Sequence, residues 1–247
     1  MSSERSEERR LGVRGALTCA AFAVFFGVAA VLALGVRLWP RAHGRAARRR
    51  FTARLNRGFR LFLGLLDDVG LIEAAPVAMP AGLAGRPFLL VANHPTLLDA
   101  PLLLAAMPEL VSLVKADWYR SVFLGPLLAR CDHVRGPGRD AASGELAPVV
   151  RRITGALRGG RALLAFPEAT RSPRHGLRRF RRGALEAALE AGVPIVPLFI
   201  GVDPPILGKG DRPWRMPARV ARYRFEWLAP VPEDVRARGS RAVAPRP

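Results

Sequence analysis

A histidine and an aspartate stand close together in FLLVANHPTLLDAPLL, residues 88–103. An apolar run that is typical of a buried strand ends at Asn93, His94 and Pro95, and a helical pattern follows with Asp99 in its first turns. This spacing can return the carboxylate to the imidazole, fix its tautomer and leave the other ring nitrogen as a base. No serine or cysteine is evident as a triad partner, so the pair suits direct deprotonation of a substrate hydroxyl. Taken alone, the two residues also fit a purely structural pair.

A second polar cluster follows the apolar run in ALLAFPEATRS, residues 162–172. Glu168, Thr170 and Arg171 come directly after this run, and catalytic and binding groups gather where strands end. An arginine in such a loop can bind a phosphate with two parallel hydrogen bonds. Five more arginines follow without an intervening acid and are equally typical of a solvated basic loop: Arg174, Arg178, Arg179, Arg181 and Arg182.

The segments that must position these residues alternate between strand and helix patterns. Strands are predicted at residues 88–92, 110–114, 162–166, 195–201 and 222–227. Helices are predicted at about 97–106, 119–129, 144–158 and 183–191. This alternation predicts an α/β domain with a mixed, mainly parallel sheet flanked by helices.

Residues 15–36, GALTCAAFAVFFGVAAVLALGV, form an uncharged apolar segment. About 20 such residues span a bilayer as a helix, so a transmembrane helix is predicted, with a signal peptide and a buried core helix as alternatives. Residues 37–60 contain nine arginines and no acid. The main domain is therefore expected on the cytoplasmic side of the inner membrane. Residues 51–68 repeat apolar side chains at helical spacing, which fits either an interfacial amphipathic helix or a helix packed on the domain.

The chain has 39 Lys and Arg against 20 Asp and Glu, a formal net charge of +19. Such an excess suggests a polyanionic partner, namely nucleic acid, anionic lipid or an acidic carrier protein. Few aromatic residues and the lack of a recognisable nucleic-acid-binding module argue against nucleic acid. Cys19 and Cys131 are expected to be reduced and buried. No cluster has metal-ligand spacing, and His43, His133 and His175 are expected to be structural or solvated, so no metal is predicted.

Four segments in order resemble the motifs of the glycerolipid acyltransferases, the family of 1-acylglycerol-3-phosphate acyltransferases. NHPTLLD is similar to the family's N-H-x4-D motif, and FPEATRS, some 74 residues further on, is similar to F-P-E-G-T-R-S. FRRGA at 180–184 and the proline-containing strand VPIVPLFI at 193–200 resemble the later motifs. FLGPLLARCDHVRG at 123–136 resembles a degenerate form of the block that ends in a functional arginine, with Arg135 as its counterpart and Arg130 as a weaker candidate.

The resemblance implies a role for each matched residue. His94 is expected to be the general base on the acceptor hydroxyl, oriented by Asp99, and the deprotonated oxygen then attacks the thioester of acyl-CoA or acyl carrier protein without a covalent acyl-enzyme. A backbone amide near the start of the following helix is a candidate for stabilising the oxyanion. The expected acceptor-binding residues, with the arginines on its anionic headgroup, are Arg135, Glu168, Thr170 and Arg171.

One departure concerns the second motif, where Ala169 replaces the family's glycine. A positive φ at this position would strain alanine by about 1 kcal/mol. The expected acceptor is a lysophospholipid of the 1-acylglycerol-3-phosphate type. The alternative is another acceptor used within the family, such as lyso-ornithine lipid or another lipid-like precursor.

The sequence divides into four expected regions. Residues 1–36 form the N-terminal tail and transmembrane helix, 37–72 a basic juxtamembrane helix, 73–230 the acyltransferase domain and 231–247 an Arg- and Pro-rich tail. No cofactor is expected, since the acyl donor is a substrate. The competing classes are a membrane-tethered nucleic-acid-binding protein and an inactive relative that only binds lipid.

Overall fold

The computed structural model of the protein describes residues 2–38, 44–138 and 146–232. Its helices are α1 (Ser2–Leu38), α2 (Arg45–Asp68), α3 (Asp99–Ala106), α4 (Gly125–Arg130), α5 (Leu146–Arg158) and α6 (Gly183–Ala191). Its strands are β1 (Ile72–Ala74), β2 (Leu89–Ala92), β3 (Val111–Val114), β4 (Val134–Arg135), β5 (Leu163–Ala165), β6 (Ile195–Asp203) and β7 (Ala221–Trp227). Short 3₁₀ turns lie at Ala81–Leu83 and Ala116–Arg120.

The seven strands form one sheet in the order β1-β7-β6-β2-β5-β3-β4. Five neighbouring pairs are parallel, and only β6 and β7 run antiparallel. Because β6, β2, β5, β3 and β4 run in the same direction, their carboxyl ends meet at one edge of the sheet, where loops carry the functional groups of open α/β folds. The predicted mixed, mainly parallel α/β fold is confirmed.

Two apolar layers cover the sheet. Side chains of α1, α2 and α3 pack on one face around Phe62, Leu66 and Leu103, and α5 and α6 pack on the other face around Ile153 and Ala187. The second helix thus packs on the domain, one of its two predicted arrangements, with Phe62 and Leu66 buried in the core. Burial of apolar side chains on both faces is what stabilises a parallel sheet.

The first helix lies along the domain. Near its start, the Arg14 Nε donates to the Pro217 carbonyl at 2.8 Å, and near its end Ala29 and Ala33 pack against Leu127 of α4. These contacts are about 30 Å apart along the helix axis. Residues Leu11–Leu38 are long and apolar enough to cross a membrane. The side away from the domain exposes a stripe of large apolar side chains: Val13, Val24, Val28, Val31, Leu34 and Leu38.

The observed elements differ from the predicted ones in three places. The strands β1 and β4 were not predicted because two or three residues are too few to show a periodic pattern. The helix predicted at 119–129 is divided into a 3₁₀ turn, a further turn at 122–124 and the shorter α4. Cys131 is buried as expected, but the prediction that Cys19 is buried is wrong, because its side chain is exposed.

The predicted regional boundaries at residues 36, 72 and 230 stay predictions. His43 and the tail beyond Pro232 lie outside the described residues, as do the first two residues of the helix predicted at 144–158.

Candidate active site

The loop after β2 is anchored before it reaches its histidine. The Asn93 side-chain amide donates to the Ile200 carbonyl at 2.9 Å, and its Oδ1 accepts the Ile200 N–H at 2.7 Å. These two bonds tie the end of β2 to β6 and fix the direction in which the chain leaves the sheet. His94 follows with its ring stacked on Phe166, 4.1 Å between ring centroids. The Asn93 bonds therefore position the backbone that carries His94, and Phe166 packs against one face of its ring.

The imidazole of His94 is oriented by a buried network. Its Nδ1 lies 2.7 Å from Oδ2 of Asp99, a residue with no exposed surface. Thr96 bonds both carboxylate oxygens, through its N–H at 2.7 Å and its hydroxyl at 2.6 Å. The Tyr223 hydroxyl donates to Thr96 Oγ1 at 2.9 Å, which directs the threonine proton to Asp99. The network fixes the ring through Nδ1, and Nε2 has no hydrogen-bond partner among the described residues.

Burial shifts the pKa of two groups in this network. It raises the pKa of the Asp99 carboxyl, and the hydrogen bonds from His94 and Thr96 oppose that rise by stabilising the carboxylate. Burial also raises the pKa of the Tyr223 phenol, so this hydroxyl stays protonated and remains a donor. A carboxylate that accepts a hydrogen bond from Nδ1 fixes the tautomer of the ring and leaves Nε2 as its acceptor nitrogen.

The first amides of the loop after His94 are already occupied. The Thr96 N–H bonds Asp99, the Leu97 N–H donates to the Leu207 carbonyl at 3.1 Å, and the Leu98 N–H donates to Thr96 Oγ1 at 3.1 Å. An oxyanion donor from this stretch would have to come from a later amide, such as that of Asp99 or Ala100. The expected backbone donor to the oxyanion is therefore not the amide of Thr96, Leu97 or Leu98.

The loop after β5 is hydrogen-bonded to the loop after β2. The Ser172 N–H donates to the His94 carbonyl at 2.6 Å, and the His94 N–H donates to Ser172 Oγ at 3.0 Å. Ser172 Oγ in turn donates to Glu168 in a short hydrogen bond. The second carboxylate oxygen of Glu168 accepts the Arg178 N–H at 2.8 Å. Both oxygens of this buried carboxylate thus bond protein donors, and its predicted contact with the acceptor stays a prediction.

Ala169 adopts the conformation that favours glycine. Its φ is 57°, in the left-handed region, at the turn where the chain leaves β5. A side chain there costs about 1 kcal/mol relative to glycine. The strain considered from the sequence is therefore present at the position where FPEATRS differs from the family's F-P-E-G-T-R-S motif.

Arg171 holds a neighbouring loop. One of its terminal nitrogens donates to the carbonyls of Leu207, at 2.8 Å, and Gly208, at 2.7 Å. Its Nε and other terminal nitrogen have no hydrogen-bond partner among the described residues. The guanidinium is half-buried, so it can brace the loop after β6 and still present donors to an anion.

The other predicted binding residues lie on the same sheet edge. Thr170 is half-buried, and its hydroxyl has no hydrogen-bond partner in the described part of the chain. Arg135 is exposed at the end of β4, with its guanidinium 5.5 Å from the centre of the Tyr119 ring. β4 is three strands from β2, and neighbouring strands lie about 4.8 Å apart. The backbones of the two strands that lead to Arg135 and His94 are therefore about 14 Å apart. Arg135 is thus not an immediate neighbour of the imidazole.

Sequence reasoning missed several residues of this edge. Lys115 is exposed directly after β3, between the strands that lead to Glu168 and Arg135. The amino-acid composition could have drawn attention to Lys115, since only two of the 39 basic residues are lysines. Thr96 lies within the matched motif, but its bonds to Asp99 depend on the fold of the loop. Tyr223 could not be found, because only the pairing of β6 with β7 brings it near Thr96.

His133 illustrates the opposite outcome for a histidine. Its Nδ1 accepts the Ser112 N–H at 3.1 Å, and burial lowers its pKa to about 4. It is a neutral structural residue, in line with the expectation from the sequence.

Comparison with known proteins places this chain in a family. The model of the acyltransferase family matches residues 72–201. A lyso-ornithine lipid O-acyltransferase of Pseudomonas aeruginosa is 36% identical over 118 residues, 47% of this chain and 43% of that protein. The 1-acyl-sn-glycerol-3-phosphate acyltransferase beta of Homo sapiens is 30% identical over 145 residues, 58% of this chain and 49% of that protein. The chain thus spans about half the length of the curated relatives it matches.

A solved structure shares the whole architecture. The crystal structure of the 1-acyl-sn-glycerophosphate acyltransferase PlsC from Thermotoga maritima superposes with a TM-score of 0.62 and 20% identity, over 96% of this chain and 95% of that one. This likeness concerns the fold. Because the family match covers more than half of the chain, the protein belongs to the acyltransferase family, and the resemblance found in its motifs is confirmed.

Proposed function

We propose that this protein is an O-acyltransferase that moves a fatty acyl group from a thioester to the hydroxyl of a lysophospholipid-like acceptor. The observation that carries the proposal is the His94–Asp99 pair, 2.7 Å apart and braced by Thr96, with Nε2 open at the sheet edge. An imidazole held through Nδ1 by a buried carboxylate is the arrangement that a general base requires.

In the proposed reaction His94 acts first as a base and then as an acid. Nε2 takes the proton of the acceptor hydroxyl while the oxygen bonds to the thioester carbonyl carbon. Collapse of the tetrahedral intermediate breaks the carbon–sulfur bond, and the imidazolium returns the proton to the leaving thiolate. Asp99 stabilises the imidazolium between these steps, and Phe166 keeps the ring in plane by stacking.

The acceptor is proposed to carry an anionic group. Arg171 has donors to spare in the loop that bonds the His94 backbone through Ser172, and Lys115 and Arg135 follow the neighbouring strands along the edge. The names of the relatives point to two acceptors, 1-acylglycerol-3-phosphate and lyso-ornithine lipid. Phosphate is the better match to a guanidinium with two open donors. The lyso-ornithine alternative is favoured by the higher identity of that relative and by Ala169, which alters the motif loop next to the anion site.

The protein is further proposed to work at the inner membrane, with its domain on the cytoplasmic side. The exposed apolar stripe of α1 supports contact with lipid chains. A cavity of about 840 Å³ between α1, α2 and α4 has apolar walls and is surrounded by Arg37, Arg50 and Arg54, which suits anionic headgroups. The acyl donor is proposed to be acyl-CoA or acyl carrier protein, both of which are anionic and complement the basic surface.

The test is a reconstituted assay with the full chain in phospholipid nanodiscs. Thiol release from acyl-CoA and from the acylated carrier protein is measured with 1-acylglycerol-3-phosphate or lyso-ornithine lipid as acceptor. The acylated product is identified by mass spectrometry. We expect thiol release that requires one of the two acceptors. Release without an acceptor would indicate a thioesterase, and no release with any pair would contradict the proposed function.

A further inference from the structure

The N-terminal part of α1 is fastened to the segment 204–220, which connects β6 to β7. The Arg14 Nε donates to the Pro217 carbonyl at 2.8 Å, and its terminal nitrogen donates to the Arg219 carbonyl at 3.2 Å. Gly15 is buried against Trp214, where a Cβ atom would lie 2.1 Å from the Trp214 carbonyl oxygen. Helix and segment therefore touch backbone to backbone, which only glycine allows at this point.

The same segment reaches the candidate active site at its other end. The Leu207 carbonyl accepts from the Leu97 N–H and from Arg171, and the Gly208 carbonyl accepts from Arg171 as well. Leu207 holds its carbonyl in this direction with a φ of 48°, a conformation that non-glycine residues rarely adopt. Such a backbone persists only where surrounding contacts enforce it.

Apolar packing joins the two ends of the segment. Ile206, Leu207 and Met216 are buried in the same core cluster as Ala21, two turns beyond Gly15 on α1. A contiguous set of packed side chains and backbone hydrogen bonds thus runs from α1 to Arg171. Displacing α1 would remove the support behind the two carbonyls that hold the arginine.

We infer that α1 is a positioning element of the active site, with Gly15 and Arg14 as its positioning residues. By seating the 204–220 segment, they hold Arg171 where it meets the anionic group of the acceptor. The role of Arg171 in this inference rests on the proposed function. The helix that faces the lipid would then also determine the affinity for the acceptor, while the donor site would be unaffected.

The decisive variant is Gly15→Ala. Its Cβ cannot remain 2.1 Å from a backbone oxygen, since such contacts are essentially never under 3.0 Å, so the helix or the segment must move by about 1 Å. Gly12→Ala is the matched control, because a Cβ at Gly12 meets nothing within 4 Å. Both changes raise helix propensity equally, so their difference isolates the contact with Trp214. Arg14→Lys is a second variant, which keeps the charge and loses the two-pronged donor.

Two measurements on the full chain in nanodiscs decide the matter. Hydrogen exchange should accelerate about tenfold at the amides of residues 206–219 and at Leu97 in Gly15→Ala, and stay unchanged in Gly12→Ala. Steady-state kinetics should show the acceptor KM raised about tenfold with the donor KM changed by less than about twofold, and Arg14→Lys should shift both readouts in the same direction by a smaller amount.

The outcomes separate the inference from the proposed function. Equal exchange and equal kinetics in Gly15→Ala and Gly12→Ala, with an active wild-type protein, would overturn the inference alone. Losses of the same size for acceptor and donor would also overturn it, since they would indicate a general effect on the fold. A wild-type protein without acyl transfer would contradict the proposed function, and the exchange data would still show whether α1 supports the loop at Arg171.

Discussion

The loops after β2 and β5 meet at one sheet edge but use their polar side chains differently. In the first loop, Asp99 and Thr96 hold His94 through Nδ1 and leave Nε2 open. In the second loop, both oxygens of Glu168 and one nitrogen of Arg171 bond protein groups. The first loop leaves a ring nitrogen without a protein partner, whereas the polar groups of the second loop are mostly bonded within the protein. Residues of the two motifs should therefore differ in the effect of substitution: loss of turnover in the first loop and loss of stability in the second.

The largest expected effect is on the open histidine. His94→Ala should lower kcat by at least about 10²-fold, the low end of what a general base contributes, while the protein stays folded at the assay temperature because Asp99 keeps its two hydrogen bonds from Thr96. Thioester consumption and thermal unfolding measure the two quantities. His175→Ala, an exposed histidine of the basic loop, is the matched control and should behave like the wild type. Near-normal turnover in His94→Ala would remove the proposed mechanism.

The second expected effect is on stability rather than turnover. Glu168→Ala leaves Ser172 Oγ and the Arg178 N–H without their acceptor, which should lower the free energy of unfolding by about 1–3 kcal/mol. Denaturant unfolding measures this loss. The exposed Glu226→Ala on β7 is the control and should cost less than about 0.5 kcal/mol. If Glu168→Ala kept full stability and lost acceptor affinity, the second loop would bind the acceptor directly and the contrast between the loops would disappear.

A smaller effect is expected at Arg171, which bonds the loop after β6 and is also proposed to bind the acceptor. Arg171→Lys keeps the charge but cannot hold two carbonyls and an anion with one planar group, so the acceptor KM should rise about tenfold and the donor KM should change little. Kinetics with both substrates varied measure the split. Arg179→Lys, in the exposed loop nearby, serves as the control. Equal losses for both substrates would limit Arg171 to bracing the loop at Leu207.

The smallest effect is expected at the strained turn. Ala169→Gly should raise the free energy of unfolding by up to about 1 kcal/mol, because a φ of 57° is unfavourable for alanine. Ala46→Gly, at an exposed position in the first turn of α2, should do the opposite and destabilise by a smaller amount. The two changes in denaturant midpoint should therefore have opposite signs. A loss of stability in Ala169→Gly would show that its methyl group makes a favourable contact that outweighs the backbone strain.

Most of the sheet edge could be predicted from local patterns. The strands that end at Ala92, Val114 and Ala165 were found within a residue or two, because continuous apolar runs followed by polar residues are typical of buried parallel strands. The helix predicted at 183–191 was found with its bounds unchanged, since a glycine ends it. Short β4 carried no such signal, so the position of Arg135 relative to His94 was not determined.

The sequence by itself determined the order of the longer strands and helices and singled out His94, Asp99, Glu168 and Arg171 as candidates, because the chemistry of these side chains and their spacing from strand ends are local properties. Only the tertiary structure decided which atoms remain open. Strand order placed Arg135 on β4, three strands away from the β2 strand that leads to His94, the antiparallel β7 brought Tyr223 to Thr96, and the segment after β6 bound Arg171. The physical reason is that a hydrogen bond between residues as far apart as Thr96 and Tyr223 depends on how strands pair and helices pack, and neither is encoded in the neighbourhood of either residue.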